Sequence, residues 1–153
     1  MTEFDFLNDN IEDAPEVPDF VTPPSGYYNL TCQKITMTKN EEDAGESVRV
    51  TWVIDETVEL AKADAEQVKA GSLFSETYFV KSKDGKRNDM AMGAMKKTFA
   101  PVAETFQKSN WLEIFEAAEG AKLRAKVTTK AGKKKTADGN TMYFTSVSDT
   151  SMI

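Results

Sequence analysis

Four lysines, Lys130, Lys133, Lys134 and Lys135, fall within six residues, and three pairs of adjacent rings are spread along the chain: Tyr27-Tyr28, Tyr78-Phe79 and Tyr143-Phe144. Cations that track phosphates, and rings on which bases can stack, are the two requirements for holding a single-stranded nucleic acid. Further cations stand at Arg49, at Lys81, Lys83, Lys86 and Arg87, and at Arg124 and Lys126. Neighbours in a strand point to opposite faces, so each ring pair should send one ring inward and one outward. Tyr78 and Tyr143 are the expected stacking rings, with Phe79 and Phe144 as alternatives because a slip of one residue exchanges them. The competing view makes the tyrosines ordinary surface residues and the lysines a solvated face.

Other chemistries are poorly supplied. The chain has no histidine, which removes the commonest general base, the Ser-His and Cys-His nucleophile arrangements and every histidine-containing zinc site. Cys32 is the single cysteine, so neither an intrachain disulfide nor a thiolate metal cage can form, and its setting in YYNLTCQKI suits a small buried hydrophobe. The carboxylates Asp55, Glu56, Glu76 and Asp84 could in principle hold magnesium for a nuclease, but they show no recognisable spacing. Gly132-Lys133 lacks the upstream glycine and the following serine or threonine of a phosphate-cradling loop. No enzyme, no cofactor and no metal is expected.

The charges are divided unevenly. The net charge of −6 resolves into −7 over residues 1–20, −5 over 21–80 and +6 over 81–153. Residues 1–25 mix acids with Pro15, Pro18, Pro23 and Pro24 and carry no helical or strand period, which reads as a disordered acidic tail. Phe4, Asp5, Phe6 and Asp9 lie in it, and such an alternation suits either docking into a basic, aromatic-lined groove or simple solubilisation. With 153 residues, 40% apolar and 29% charged, the remainder fits one domain, residues 26–153. The acidic N-terminus is unlike a secretory leader and no apolar run could span a membrane, so a cytoplasmic location is expected.

The elements that would position these residues follow from periodicity. GYYNLTCQKITMT reads as a first strand whose apolar phase runs through Tyr28, Leu30 and Cys32, then slips to Ile35 and Met37, which predicts a β-bulge near Gln33 or Lys34. SVRVTWVID is a second strand, VELAKADAEQVKAG a short helix or a long loop, and SLFSETYFVK a third strand. Met92, Met95, Phe99, Val102 and Phe106 then follow a helical period, with Pro101 predicting a kink or break near Ala100. A second short helix starts at an Asn110 cap and ends at Gly120. AKLRAKVTTK and TMYFTSV are strands four and five, joined by the loop AGKKKTADGN. The fold class expected is therefore mainly β with a helical insert (β+α), a five-stranded OB-like barrel in the order β-β-β-α-β-β, in which the loop between strands four and five borders the binding face.

The patterns TPPSGYYNLTCQKI, SVRVTWVID and MKKTFAPVAETF, within residues 22–148, resemble phage-encoded single-stranded DNA-binding proteins of OB-fold type and their recombination-associated relatives. The resemblance implies a sequence-independent, non-catalytic DNA-binding protein serving phage DNA replication, recombination or repair in the host cytoplasm. It also implies an acidic tail that contacts replication or recombination proteins. Family members carry that tail at the C-terminus, whereas this chain ends in SDTSMI with one acid and has its acidic segment at the other end. The rival expectation is a protein-interaction module, a phage-type inhibitor or adaptor, acting through that N-terminal segment. RNA in place of DNA stays open, as does a homodimer formed through the apolar helix face.

Overall fold

Alternating β-branched and aromatic residues make extended strands here, and the described residues form five of them together with two α-helices. The computed structural model describes residues 5–8, 10–13, 20–135 and 138–153. The strands are β1 (Gly26–Lys39), β2 (Glu46–Leu60), β3 (Leu73–Lys81), β4 (Lys122–Lys135) and β5 (Thr141–Met152), with α1 (Asp89–Phe106) and α2 (Trp111–Ala118) between β3 and β4. They form one antiparallel sheet in the order β3-β2-β1-β4-β5. The mainly β class and the element order match the sequence-based expectation.

The slip in β1 is real. Cys32 pairs with Trp52 and Lys34 with Thr51, leaving Gln33 as the extra residue of a bulge, so Tyr28, Leu30 and Cys32 before it and Ile35 after it all turn inward. Met37, expected inside, is 60% exposed, because the buried side of β1 ends at Ile35. β2 runs past its expected end to Leu60: Thr57, Glu59 and Leu60 pair with Tyr28, Tyr27 and Gly26, and this pairing overrides their helix-forming neighbours. A side chain at Gly26 would put its Cβ 2.4 Å from the Glu59 carbonyl oxygen, so glycine is required for that close approach.

The sheet and helices share a core in which Trp52 lies against Phe99 of α1 with ring centroids 6.3 Å apart, while Phe115 of α2 meets Phe99 edge-on at 5.6 Å. Asn110 caps α2 by accepting from the Glu113 amide at 2.9 Å, as its position predicts. Of the kink or break expected near Ala100, the break does not occur: α1 is helical from Asp89 to Phe106 with Pro101 inside it. Proline supplies no amide for the Lys97 carbonyl, and the Thr150 hydroxyl of β5 approaches that oxygen at 3.4 Å and the Thr98 carbonyl at 2.7 Å, so a side chain from the sheet serves the turn the proline disturbs.

Residues 20–25, assigned to the tail by composition, are held on the body. The Val21 amide donates to the Leu73 carbonyl at 2.8 Å, Thr129 Oγ1 donates to the Pro23 carbonyl at 2.7 Å, and the Ser25 carbonyl accepts from Ala61 at 2.9 Å. Upstream, Asp5–Asn8 and Ile11–Asp13 form short 3-10 turns. No helix among the described residues is long and apolar enough to cross a membrane.

Candidate nucleic-acid interface

β3 alternates Phe74, Glu76 and Tyr78 inward with Ser75, Thr77 and Phe79 outward, and this phase decides which ring is free. Tyr78 is 5% exposed with its hydroxyl 3.0 Å from Thr98 Oγ1, whereas Phe79 is 65% exposed. Tyr78, expected to be the outward ring, is therefore the buried one, and Phe79 is the ring of this pair that faces outward. The sequence could not fix the phase because Leu73 and Phe74 are both apolar and both buried at the start of the strand.

On β5 the in-out rule fails for a different reason. Tyr143 and Phe144 are both more than half exposed, since β4 and β5 run on beyond the core as a two-stranded ribbon in which Phe144 faces Lys130 and Tyr143 faces Ala131. Lys130, Lys133, Lys134 and Lys135 thus belong to a strand of that ribbon and not to a loop, the correction being that pairing with Thr141–Phe144 extends β4 to Lys135. The side chains of Lys133 and Lys134 lie outside the described residues. Gly132 makes room for the Phe144 ring, whose Cε2 would stand 2.3 Å from a Cβ at that position.

Between β3 and β5 lies a hollow of about 540 Å³ lined by Phe20, Phe79, Tyr143 and Phe144 together with Lys130 and Glu76. The Arg49 guanidinium sits 5.9 Å from the centre of the Phe20 ring, a cation–π arrangement that puts a charge next to the hollow. Phe79 also borders a second hollow of about 650 Å³ formed with Lys81, Lys83 and the β1–β2 loop. That end is mixed in charge: Glu46 lies 3.9 Å from Lys81 and 3.7 Å from Lys39, and Glu41, Glu42 and Asp43 line the loop. Lys86 is 4.0 Å from Asp84, whose carboxyl is held below its ordinary value by the Ser82 hydroxyl and the Lys86 amide. Arg87 lies opposite Lys81 in an isolated bridge, beside the same turn.

The basic face of β4 turns out to be answered by acids two strands away. Arg124, Asn29 and Glu56 share one rung of the sheet, and Lys126, Tyr27 and Glu59 share the next. Arg124 Nε donates to Asn29 Oδ1 at 3.3 Å while Asn29 Nδ2 donates to Glu56 at 3.1 Å. Lys122 repeats the pattern, 3.7 Å from Asp55, to which Thr31 donates at 2.6 Å. Arg124 and Lys126 are exposed, yet they stand in a face of balanced charge, apart from the hollow that the rings border. Among the described residues, the cations next to the hollow that Phe20, Phe79, Tyr143 and Phe144 border are Arg49 and Lys130.

Cys32 is fully buried in β1, and burial, with the Glu119 charge adding to it, pushes its thiol up to about 12. Among the described residues no group of three or more histidine, cysteine, aspartate or glutamate side chains could hold a metal ion. Of the tail residues expected to contact a partner, Phe4 and Asp9 lie outside the described residues, as do the side chains of Asp5 and Phe6. Phe20, which sequence reasoning placed in the tail as one of its spaced apolar residues, is brought to the hollow by its bridge to Leu73. No family model matches the chain, and no curated protein matches it.

Proposed function

We propose that the chain is a non-catalytic, sequence-independent single-stranded DNA-binding protein, its curled sheet acting as an oligonucleotide-binding barrel with the strand lying along the hollow between β3 and β5. The observation that carries this reading is the convergence of four exposed rings, Phe20, Phe79, Tyr143 and Phe144, from three separate segments on one hollow flanked by Arg49 and Lys130. Solvent-exposed rings are costly to leave bare, and rings gathered with cations suit a ligand that offers flat faces and phosphates. A role in phage DNA replication, recombination or repair rests on the resemblance of the strand and helix patterns alone.

The test is fluorescence anisotropy of a labelled oligo-dT, a matched RNA and a duplex, each at low and high salt. Single-strand preference with affinity falling as salt rises is the expected outcome. Equal indifference to all three ligands would defeat the reading. It would leave the protein-interaction alternative, which has its own support in the 66% and 90% exposure of Leu7 and Ile11 within the acidic segment.

A further inference from the structure

β3 and β5 are the two edges of the sheet, and among the described residues no backbone ladder joins them. What joins them is a side chain. Glu76, only 7% exposed, reaches from β3 and accepts a hydrogen bond from the Val147 amide of β5 at 2.9 Å. Thr98 Oγ1 of α1 lies 3.3 Å from the Val147 carbonyl, 3.1 Å from the Ala94 carbonyl and 3.0 Å from the Tyr78 hydroxyl, so β3, α1 and β5 meet in one buried polar cluster. Val147 lies three residues beyond Phe144 on the strand that carries two of the exposed rings, and Glu76 lies three residues before Phe79, which carries the facing one. Glu76 also borders the hollow itself.

We propose that Glu76 is the positioning residue of the hollow: its carboxylate sets the separation of the β3 and β5 rings, and its charge in the lining of the hollow opposes an incoming phosphate chain. The inference rests on the nucleic-acid reading and extends it to regulation by pH. Tyr78 on its own strand acts on Glu76 by a hydrogen bond, Lys130 of β4 and Tyr143 of β5 border the hollow with it, Arg49 and Asp149 are exposed and outside that lining, and the buried face of α1 contributes Thr98 and no ionisable group. Desolvation raises the Glu76 carboxyl to about 7, against the opposing pull of the Tyr78 and Val147 hydrogen bonds. Its protonated form is therefore populated as pH falls through neutrality. Protonation removes the negative charge and leaves an oxygen to accept from Val147, so the hollow keeps its shape and gains affinity for a polyanion.

Two readouts on the full chain test this. The first is the Val147 amide proton followed by NMR without DNA between pH 5.5 and 8.5, in the wild type and in Glu76→Gln. The wild-type resonance should titrate with a midpoint near the Glu76 value and the variant's should not; a wild-type amide insensitive to pH overturns the clasp. The second is oligo-dT affinity over the same range at constant ionic strength. Wild-type affinity should rise roughly five- to tenfold from pH 8.5 to 5.5, the size expected for removing one nearby charge. Glu76→Gln, which keeps the acceptor and loses the charge, should bind at every pH like the wild type at low pH. The same pH slope in both proteins would overturn the role of Glu76 while leaving DNA binding intact. An absence of oligo-dT binding at any pH would overturn the nucleic-acid reading and this proposal with it, even where the amide titrates.

Discussion

Tyr78 and Phe79 are neighbours of similar size whose environments are opposite, and the difference can be read in solution. Phe79 presents its ring to the hollow, and a stacked base is worth about 1–3 kcal/mol per aromatic, so Phe79→Ala should weaken oligo-dT binding by roughly 5- to 150-fold. Tyr143→Ala should do the same, while Tyr78→Phe should leave binding unchanged and lower stability by about 1 kcal/mol through loss of the hydroxyl that meets Thr98. Anisotropy paired with thermal melting separates the two effects. If Phe79→Ala and Tyr78→Phe affect binding equally, the rings are not the ligand's platform. That one ring of this pair would be outward was legible from strand geometry; which one was not, because two apolar residues open β3 and leave its phase undetermined. Glu76 was legible only as an acid, since its role depends on Val147, which lies 71 residues away in sequence.

At the scale of elements, local pattern was informative wherever one face of a strand or helix is buried. The β1 bulge could be read from the switch of apolar phase between Cys32 and Ile35, and the α2 cap from Asn110, since each leaves its mark within a few residues. Pattern was silent where long-range pairing decides, as for the last residues of β2 and for the ribbon of β4 and β5. The lysine run in β4 was expected to form a loop because strand ends with both faces in solvent carry no alternation to read. The strand that carries the four lysines pairs with the strand that carries Tyr143 and Phe144, so on the proposed function they would add to the phosphate contacts. Replacing all four by serine should therefore lower the dependence of log affinity on log salt by about 0.7 for each phosphate that these lysines neutralise. Replacing Arg124 and Lys126, which share their rungs with Glu56 and Glu59, should change that slope far less. Comparing the two slopes from titrations at several salt concentrations checks the assignment, and equal slopes would extend the interface across the β4 face.

For the whole molecule the distribution of charge matters more than its total. The net charge of −6 would by itself argue against binding a polyanion, yet residues 1–20 carry −7 of it and the chain after residue 80 carries +6. The structure ties Phe20, the residue that follows the acidic segment, to the hollow: it pairs with Leu73 at the β3 edge and lies under the Arg49 guanidinium, so the chain connects the preceding acids to that point. Those acids raise the negative potential there whether or not they touch the body, and the effect is strongest where screening is weakest. Removing residues 1–19 takes away all seven acids and keeps Phe20 in place. At an ionic strength of about 0.01 M, where the Debye length is about 30 Å, the truncated chain should bind oligo-dT roughly tenfold more tightly than the full chain. Near 1 M, where that length falls to about 3 Å, the two affinities should converge. A truncation that gains nothing at low salt would show that the acidic segment stays clear of the hollow. A gain that persists at high salt would instead show that the segment blocks the hollow by contact, because steric occupancy is indifferent to screening.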